Sequence, residues 1–323
     1  MTQIVGSTTT SEEVDVSSQQ SPTAPGRDTR LQVFVISLVG GEALVACLRA
    51  LAPHCGALCV IGHSRPVEFP DVKELLVPPD LAVPHRRMLG LQSSGAMFVG
   101  FVEDTCVPSG DWATGVCDAF SDPRVAAISG GVEISRELSA KDRALALCEY
   151  AAFGANVYPP RPRSEATPTP GRVTVQRFPG SQFVLRSSTI AALGAWPDGL
   201  VDNQLFDRLQ SDGWLMLAEP AMRSTYAFGY RRGALLSTRY HHGRIYGGQF
   251  GSRLAIAARV VAAIGTLLAP FLLTARTLRV APAWVWASPA TLWWIFSMHT
   301  AWSLGEGVGK LTGDVGDSLA RWS

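Results

Sequence analysis

The chain has 323 residues, 28 Lys and Arg against 27 Asp and Glu, and a formal net charge of +1. That length suits one large domain with an extension. The near-neutral balance, with basic residues scattered, excludes the electrostatic footprint of a nucleic-acid binder. Six cysteines without regular spacing, and an N-terminus without a secretory pattern, point to a reducing, cytosol-facing compartment rather than a disulfide scaffold.

Residues 1–30 are polar and rich in Ser, Thr and Pro, which reads as a disordered leader. The apolar run Leu31–Val39 then reads as a strand. GEALVACLRALAPH follows with helical periodicity, its Leu44, Cys47, Leu48 and Leu51 on one face. Ala57–Gly62 and KELLVPP read as two further strands, about 84–94 as a helix, and Ala96–Val102 as a strand that stops at Glu103 and Asp104. This alternation is the signature of a parallel, doubly wound α/β sheet. His54, Cys55, Cys59 and His63 have no zinc-site pattern, because the intervening strand sends them to opposite faces.

Downstream, DWATGVCDAF reads as a helix, VAAISGGVEI as a strand and about 140–153 as a helix, followed by a Pro-rich loop, Pro159–Arg172, readable as a lid or a plain surface connection. FVLR is a strand, a helix starts at Ser188, and LVDNQLFDRLQ is a helix with Asp202 in its opening turn. MLAEPAMRSTYA reads as the last strand. After Arg253 the composition changes. Val260–Ala275 and Ala283–Gly305 carry no charge, and the second is long enough to span a bilayer. Five tryptophans (284, 286, 293, 294 and 302) suit a membrane interface, and Gly305, Gly309 and Gly313 allow close helix approach. A re-entrant or interface-lying helix pair is the alternative to a span, because Arg276 and Arg279 would otherwise sit on the far side, and the bland reading is a helical hairpin that covers the catalytic domain or a dimer partner.

Adjacent carboxylates at a strand end face the cleft where α/β sheets bind ions and phosphates. Hard oxygen ligands of this kind suit Mg²⁺ or Mn²⁺, which would neutralise a departing diphosphate. The bland reading of Glu103 and Asp104 is a turn or helix start.

The segment FVGFVEDTCVPSGDWATGVCDAFSDPRVAAISGGVE resembles the centre of family-2 glycosyltransferases of the GT-A fold, in which a strand ends in an acidic motif followed by Pro and a Gly-Trp helix. The resemblance continues through CEYAAF, FPGSQFVLR, GAWPDGLVDNQLFDRLQSDG and STRYHHGRIYG, covering about 31–253. It implies an α/β catalytic domain over 31–253 with a mostly parallel sheet, and a membrane-associated helical segment over 254–323. It also implies transfer of a sugar from a nucleotide-diphospho donor by metal-assisted direct displacement, with inversion at the anomeric carbon. Glu103 and Asp104 match the metal and diphosphate motif, with His241 completing the metal shell. Asp202 matches the catalytic base. Arg87, Arg239, His242 and Arg244 match residues around the donor, and Gly180, Ser181 and Gln182 a loop near sugar and acceptor.

The expected acceptor is a lipid-linked or cell-envelope glycan, reached from the cytoplasmic face of the membrane. The oligomeric state is left open. Departures from the family pattern are Gly62 with His63, Met88, Thr105, Val201 and Gln204, which leave the nucleotide open and bear on catalytic competence. Asp202 could instead cap its helix, and His241 and His242 could be surface residues before a membrane segment. Glu149 and Tyr150 read chiefly as a helix-surface pair. Two other classes stay in view: a non-catalytic relative that binds a sugar nucleotide or partner, and a metal-dependent nucleotidyltransferase, for which SLVGGEALV lacks a basic cradle.

Overall fold

Alternating apolar residues in β1 (Asp28–Ile36) set the first layer of the molecule. Leu31, Val33 and Val35 face one side of a sheet and Phe34 and Ile36 the other, all buried. The computed structural model describes residues 28–113, 115–154, 171–229 and 235–321. The expected leader lies outside them except for residues 28–30, which open β1, and the expected lid lies outside them except for Gly171 and Arg172.

Helix α1 (Gly41–Leu51) covers one face with the four apolar residues that its periodicity marked, and is followed by β2 (Cys55–Gly62) and β3 (Lys73–Leu76). Helix α2 (Val83–Ser93), with Pro in its first turn, leads to β4 (Phe98–Glu103), every residue of which is buried. Cys55 packs in the cluster on the α1 face and Cys59 in the cluster on the α2 face; an unbroken two-residue period would put both on one face, and the β1–β2 register shifts between Asp28 and Gln32.

The next elements are shorter than expected. After β5 (Cys106–Pro108) the expected helix from Asp111 is a turn followed by the single-turn α3 (Val116–Ala119). VAAISGGVEI is split into β6 (Val125–Ser129) and β7 (Val132–Ile134). A Cβ at the intervening Gly130 would overlap the Met222 carbonyl, so the chain bends where another backbone comes close. Helix α4 (Ala140–Tyr150) is capped by Ser139. Then come β8 (Val173–Thr174), β9 (Gln182–Arg186), α5 (Ser187–Ala192), α6 (Asp202–Ser211), β10 (Leu215–Ala218) and β11 (Ser224–Tyr226). The single last strand expected over MLAEPAMRSTYA is thus two strands in different sheets.

The main sheet runs β3-β2-β1-β4-β9-β6-β10-β8, and β5-β11-β7 form a small second sheet. Pairing is parallel from β3 through β4 and between β6 and β10; β9 runs antiparallel between β4 and β6, as does β8 at the edge. The sheet is therefore mostly parallel with antiparallel insertions. Phe34, Phe101 and Phe183 lie in register across β1, β4 and β9 on the α2 face, Phe34 stacked on Phe101 and Phe183 tilted against it. Each such buried aromatic contributes about 1.5–3 kcal/mol of burial free energy.

The rest of the chain is helical: α7 (Leu235–Gly251), α8 (Ile256–Gly265), α9 (Ala269–Val280), a 3-10 turn at Ala283–Ala287, and α10 (Pro289–Thr312). Helix α10 packs along α7 and against α4, burying Ile295 and Met298 with Leu145, Leu147 and Val285. The expected spanning run Ala283–Gly305 is not one apolar helix. Its first residues form the 3-10 turn, and α10 carries buried Thr291, His299, Ser303 and Glu306. Among the described residues no single helix is long and apolar enough to cross a membrane; α8 and α9 together pass on length and composition but are bent by 52°.

Candidate active site

At the carboxyl end of β4 the chain buries two consecutive carboxylates and uses them differently. Asp104 is fully buried, and its oxygens accept from four donors of the β1–α1 loop: Ser37 Oγ at 2.9 Å, Leu38 N at 2.8 Å, Val39 N at 3.1 Å and Gly40 N at 2.8 Å. Positive φ at Gly40 and Gly41, 69° and 54°, lets the loop turn its N–H groups inward around the anion. Arg86 fixes the same loop from behind, donating to the Ser37 carbonyl at 2.8 Å.

Glu103 faces the other way. One of its oxygens accepts from Arg87 Nη2 at 3.0 Å, and its backbone N–H donates to the Ser181 carbonyl. Burial pushes its carboxyl up to about 7; Arg87 opposes that shift, and Asp202, Glu149 and Asp104 add to it.

Arg87, on α2 and 3% exposed, is the centre of the arrangement. Its guanidinium joins Glu103 to Asp202, donates to the Gly180 carbonyl at 2.7 Å, and lies 5.1 Å from the Phe183 ring centroid. Asp202 sits at the first turn of α6 with its side chain 35% exposed. The residue preceding it makes no side-chain cap, and the Asp202 carboxylate turns to Arg87. A Cβ at Gly180 would overlap that carboxylate, so glycine leaves the room in which Asp202 sits.

These groups line one end of a cleft of about 690 Å³ that continues between α4, α7, α9 and α10. The cleft's second polar node is Arg239, bonded to Glu149 at 3.2 Å and stacked 4.7 Å over the Trp302 ring. Burial raises the Glu149 carboxyl, with Arg239 opposing. His242 lines the cleft too. Burial, Arg239 and His241 lower it to about 3, so it is a neutral imidazole at physiological pH. At its far end the cleft is walled by Ala269, Leu272 and Leu273 of α9.

The helical period of α7 separates residues that the resemblance places together around the donor and its metal. Arg239, His242 and Tyr246 face the cleft, three or four residues apart. His241 bonds Ser318 at 2.9 Å and Arg244 pairs with Asp317 at 3.6 Å, both in the C-terminal 3-10 segment Gly316–Arg321. Of the loop residues, Gly180 lines the cleft, whereas Ser181 and Gln182 are fully buried. Gln182 is held by Trp112 Nε1 at 2.7 Å and by the Gly131 carbonyl at 3.0 Å. Thr105 is buried, its carbonyl accepting from Ala227.

A Mg²⁺ or Mn²⁺ site needs several free oxygen ligands around one point. The residues here do not fit that demand. Asp104 is enclosed by four donors, Glu103 is paired to Arg87, and His241 is turned to Ser318. Among the described residues, no group of three or more His, Cys, Asp or Glu could hold a metal ion. Glu149, which reads in sequence as helix surface, and Trp302, which reads as a membrane-interface residue, both line the cleft. Glu149 lies within the quoted CEYAAF segment; Trp302 has no local signal, since only the helix crossing brings it under Arg239.

No family model matches the chain, and no curated protein matches it. Among solved structures, GalNAc-T7 with UDP, GalNAc and Mn²⁺ matches with a TM-score of 0.45 and 10% identity, over 62% of this chain and 44% of that one. The mannosyltransferase PcManGT from Pyrobaculum calidifontis, in complex with GDP-Man and Mn²⁺, matches with a TM-score of 0.44 and 16% identity, over 88% of this chain and 74% of that one. S. aureus TarS 1–349 matches with a TM-score of 0.43 and 9% identity, over 67% of this chain and 64% of that one. What the cleft can do is read from its own residues.

Proposed function

We propose that this chain is a glycosyltransferase of the family-2, GT-A type, with a catalytic region over 31–253 and a helical segment over 254–323. It moves a sugar from a nucleotide-diphospho donor to an acceptor hydroxyl. The observation that carries this reading is the charged centre at the β4 end, where the partly exposed Asp202 and the buried Glu103 share Arg87 in the lining of the cleft. In this reading Asp202 accepts the proton of the acceptor hydroxyl. The hydroxyl oxygen forms its bond to the anomeric carbon, and the bond to the diphosphate oxygen breaks. The nucleoside diphosphate leaves with the electron pair, and the anomeric configuration inverts.

The acceptor in this proposal is a lipid-linked or cell-envelope glycan, and the protein works at the cytoplasmic face of the membrane. The cleft's far wall belongs to α9, and the α8–α9 pair exposes Ile256, Val261, Ile264, Leu267, Leu268, Phe271 and Leu272, each at least 60% exposed. Arg253, Arg276 and Arg279 flank this surface and are exposed, and no acidic residue occurs in 254–305. An apolar surface edged by cations suits the interface of an anionic bilayer. In this reading the bent pair lies in that interface rather than crossing it.

The test is release of nucleoside diphosphate from a panel of nucleotide sugars, with membrane lipid extract as acceptor and Asp202→Asn as control. Turnover of one donor, reduced about 10²–10⁴-fold in the variant with its fold intact, is expected for a general base. Binding of a nucleotide sugar without turnover would assign the chain to the non-catalytic relatives. Absence of both would end the reading.

A further inference from the structure

We infer that the Arg87 guanidinium takes the place of a divalent cation at this site, so that the donor's diphosphate binds without Mg²⁺ or Mn²⁺. The inference rests on the reading that the ligand is a nucleoside-diphospho sugar. It starts from where positive charge is fixed. Arg87 already bridges Glu103 and Asp202, the two carboxylates between which a cation would otherwise be needed. The third carboxylate, Asp104, is enclosed by the Ser37–Gly40 loop and has four donors. For a metal to enter, Glu103 would have to give up Arg87, or Asp104 would have to give up the loop that ends β1.

The guanidinium is also prepared for an anion. It is held in place by the Gly180 carbonyl and the Phe183 ring, so little order is lost when a ligand arrives. Its Nε is buried without a hydrogen-bond partner, although the residue lines the cleft. Arg239, across the cleft, has the same feature: its Nε is buried and unpartnered while its terminal nitrogen holds Glu149. Buried N–H donors are seldom left unmatched in a native protein. Arg143 and Arg244 carry the same unpartnered Nε away from the cleft, so what distinguishes Arg87 and Arg239 is that both line it, where a guanidinium edge matches phosphate oxygens in a planar, two-point fashion.

The exchange has a consequence for the base. Glu103 is buried with Arg87, whereas Asp202 is partly exposed. A diphosphate that takes over the Arg87 Nη1 donor displaces Asp202 while Nη2 stays on Glu103 and the Gly180 carbonyl, leaving the Asp202 carboxylate open to the acceptor hydroxyl. The donor thus uncovers the base, and the acceptor follows.

The experiment is calorimetric titration of the full chain in detergent with UDP, GDP, CDP and ADP, in EDTA and again in Mn²⁺, with Mn²⁺ alone followed by its EPR signal. One nucleotide is expected to bind with a Kd that differs by less than about threefold between the two buffers, and Arg87→Lys is expected to weaken it by about tenfold or more. The EPR signal of free Mn²⁺ is expected to be unchanged by the protein. Binding seen only with Mn²⁺, or about tenfold tighter with it, overturns the inference and leaves the donor reading standing. No nucleotide binding in either buffer overturns both. The comparison of buffers uses the native protein, so it decides the matter even where Arg87→Lys folds poorly.

Discussion

Glu103 and Asp104 are neighbours in sequence with opposite environments, and the difference sets what each substitution should do. Asp104 is a structural anion: three backbone N–H groups and one hydroxyl converge on it. Asp104→Asn would turn an amide N–H₂ toward those donors, and we expect a loss of about 2–3 kcal/mol, read from the urea midpoint. An unchanged midpoint would remove Asp104 from that role. Glu103 should instead show in the pH dependence. Its folded carboxyl titrates near 7 against an ordinary 4.5. Between those values the unfolded chain has lost a proton that the folded chain keeps, so stability should fall as pH rises across that window and level off above it. Glu103→Gln should flatten the profile of midpoint against pH over the same range. Arg87 serves both carboxylates, and truncating it to Ala should cost about 3–5 kcal/mol, because two acids would be left facing each other.

At the scale of elements, the crossing of α7 and α10 is made by glycine. A Cβ at Gly305 would overlap the Tyr240 carbonyl, and one at Gly309 the Arg244 carbonyl; in return, Gly243 and Gly247 accept the backbone of α10 at Trp302 and Glu306. The small-residue spacing at Gly305 and Gly309 is visible in sequence, and the same spacing at Gly243 and Gly247 lies in STRYHHGRIYG, whose resemblance points to the surroundings of the donor rather than to a helix crossing. Close approach is what brings Trp302 under Arg239 and closes one wall of the cleft. Gly305→Ala should therefore destabilise by about 1–3 kcal/mol through overpacking, despite alanine's better helix propensity. Gly265→Ala, at the end of α8 with nothing within 4 Å of the new methyl, should stabilise by up to about 1 kcal/mol. Thermal denaturation of the two variants gives opposite signs if the crossing is as close as described.

Across the whole molecule, the charged centre and the exposed apolar helices are ends of one feature, because Leu272 belongs both to the cleft wall and to the α8–α9 surface. Co-sedimentation with vesicles tests the outer end. The protein should bind vesicles containing phosphatidylglycerol more than neutral ones. Replacing Leu267, Leu268 and Phe271 with Ser should reduce binding by about tenfold or more, since each buried apolar side chain is worth about 1.5–3 kcal/mol. Equal binding by the variant would separate the helix pair from the bilayer. Trp286 and Trp293 are 59% and 67% exposed and could share that interface, whereas Trp284 and Trp294 pack against the α4–α10 cluster.

The sequence by itself determined the alternating α/β layers, the buried strand that ends at Glu103, and the opening turn of α6 at Asp202. Period-2 and period-3.6 apolar patterns are local properties, and each of these elements buries the face that its pattern marks. Only the tertiary structure decided that β9 runs antiparallel between β4 and β6, that Asp104 closes the β1–α1 loop, and that Arg87 joins Glu103 to Asp202. It also sent Arg239 and His242 into the cleft and His241 and Arg244 to the C-terminal segment. These are long-range facts. Arg87 and Asp202 meet across 115 residues of chain, and Arg239 and Glu149 across 90. No residue's own neighbours in sequence carry that information; the sheet order and the glycine crossing of α7 with α10 supply it.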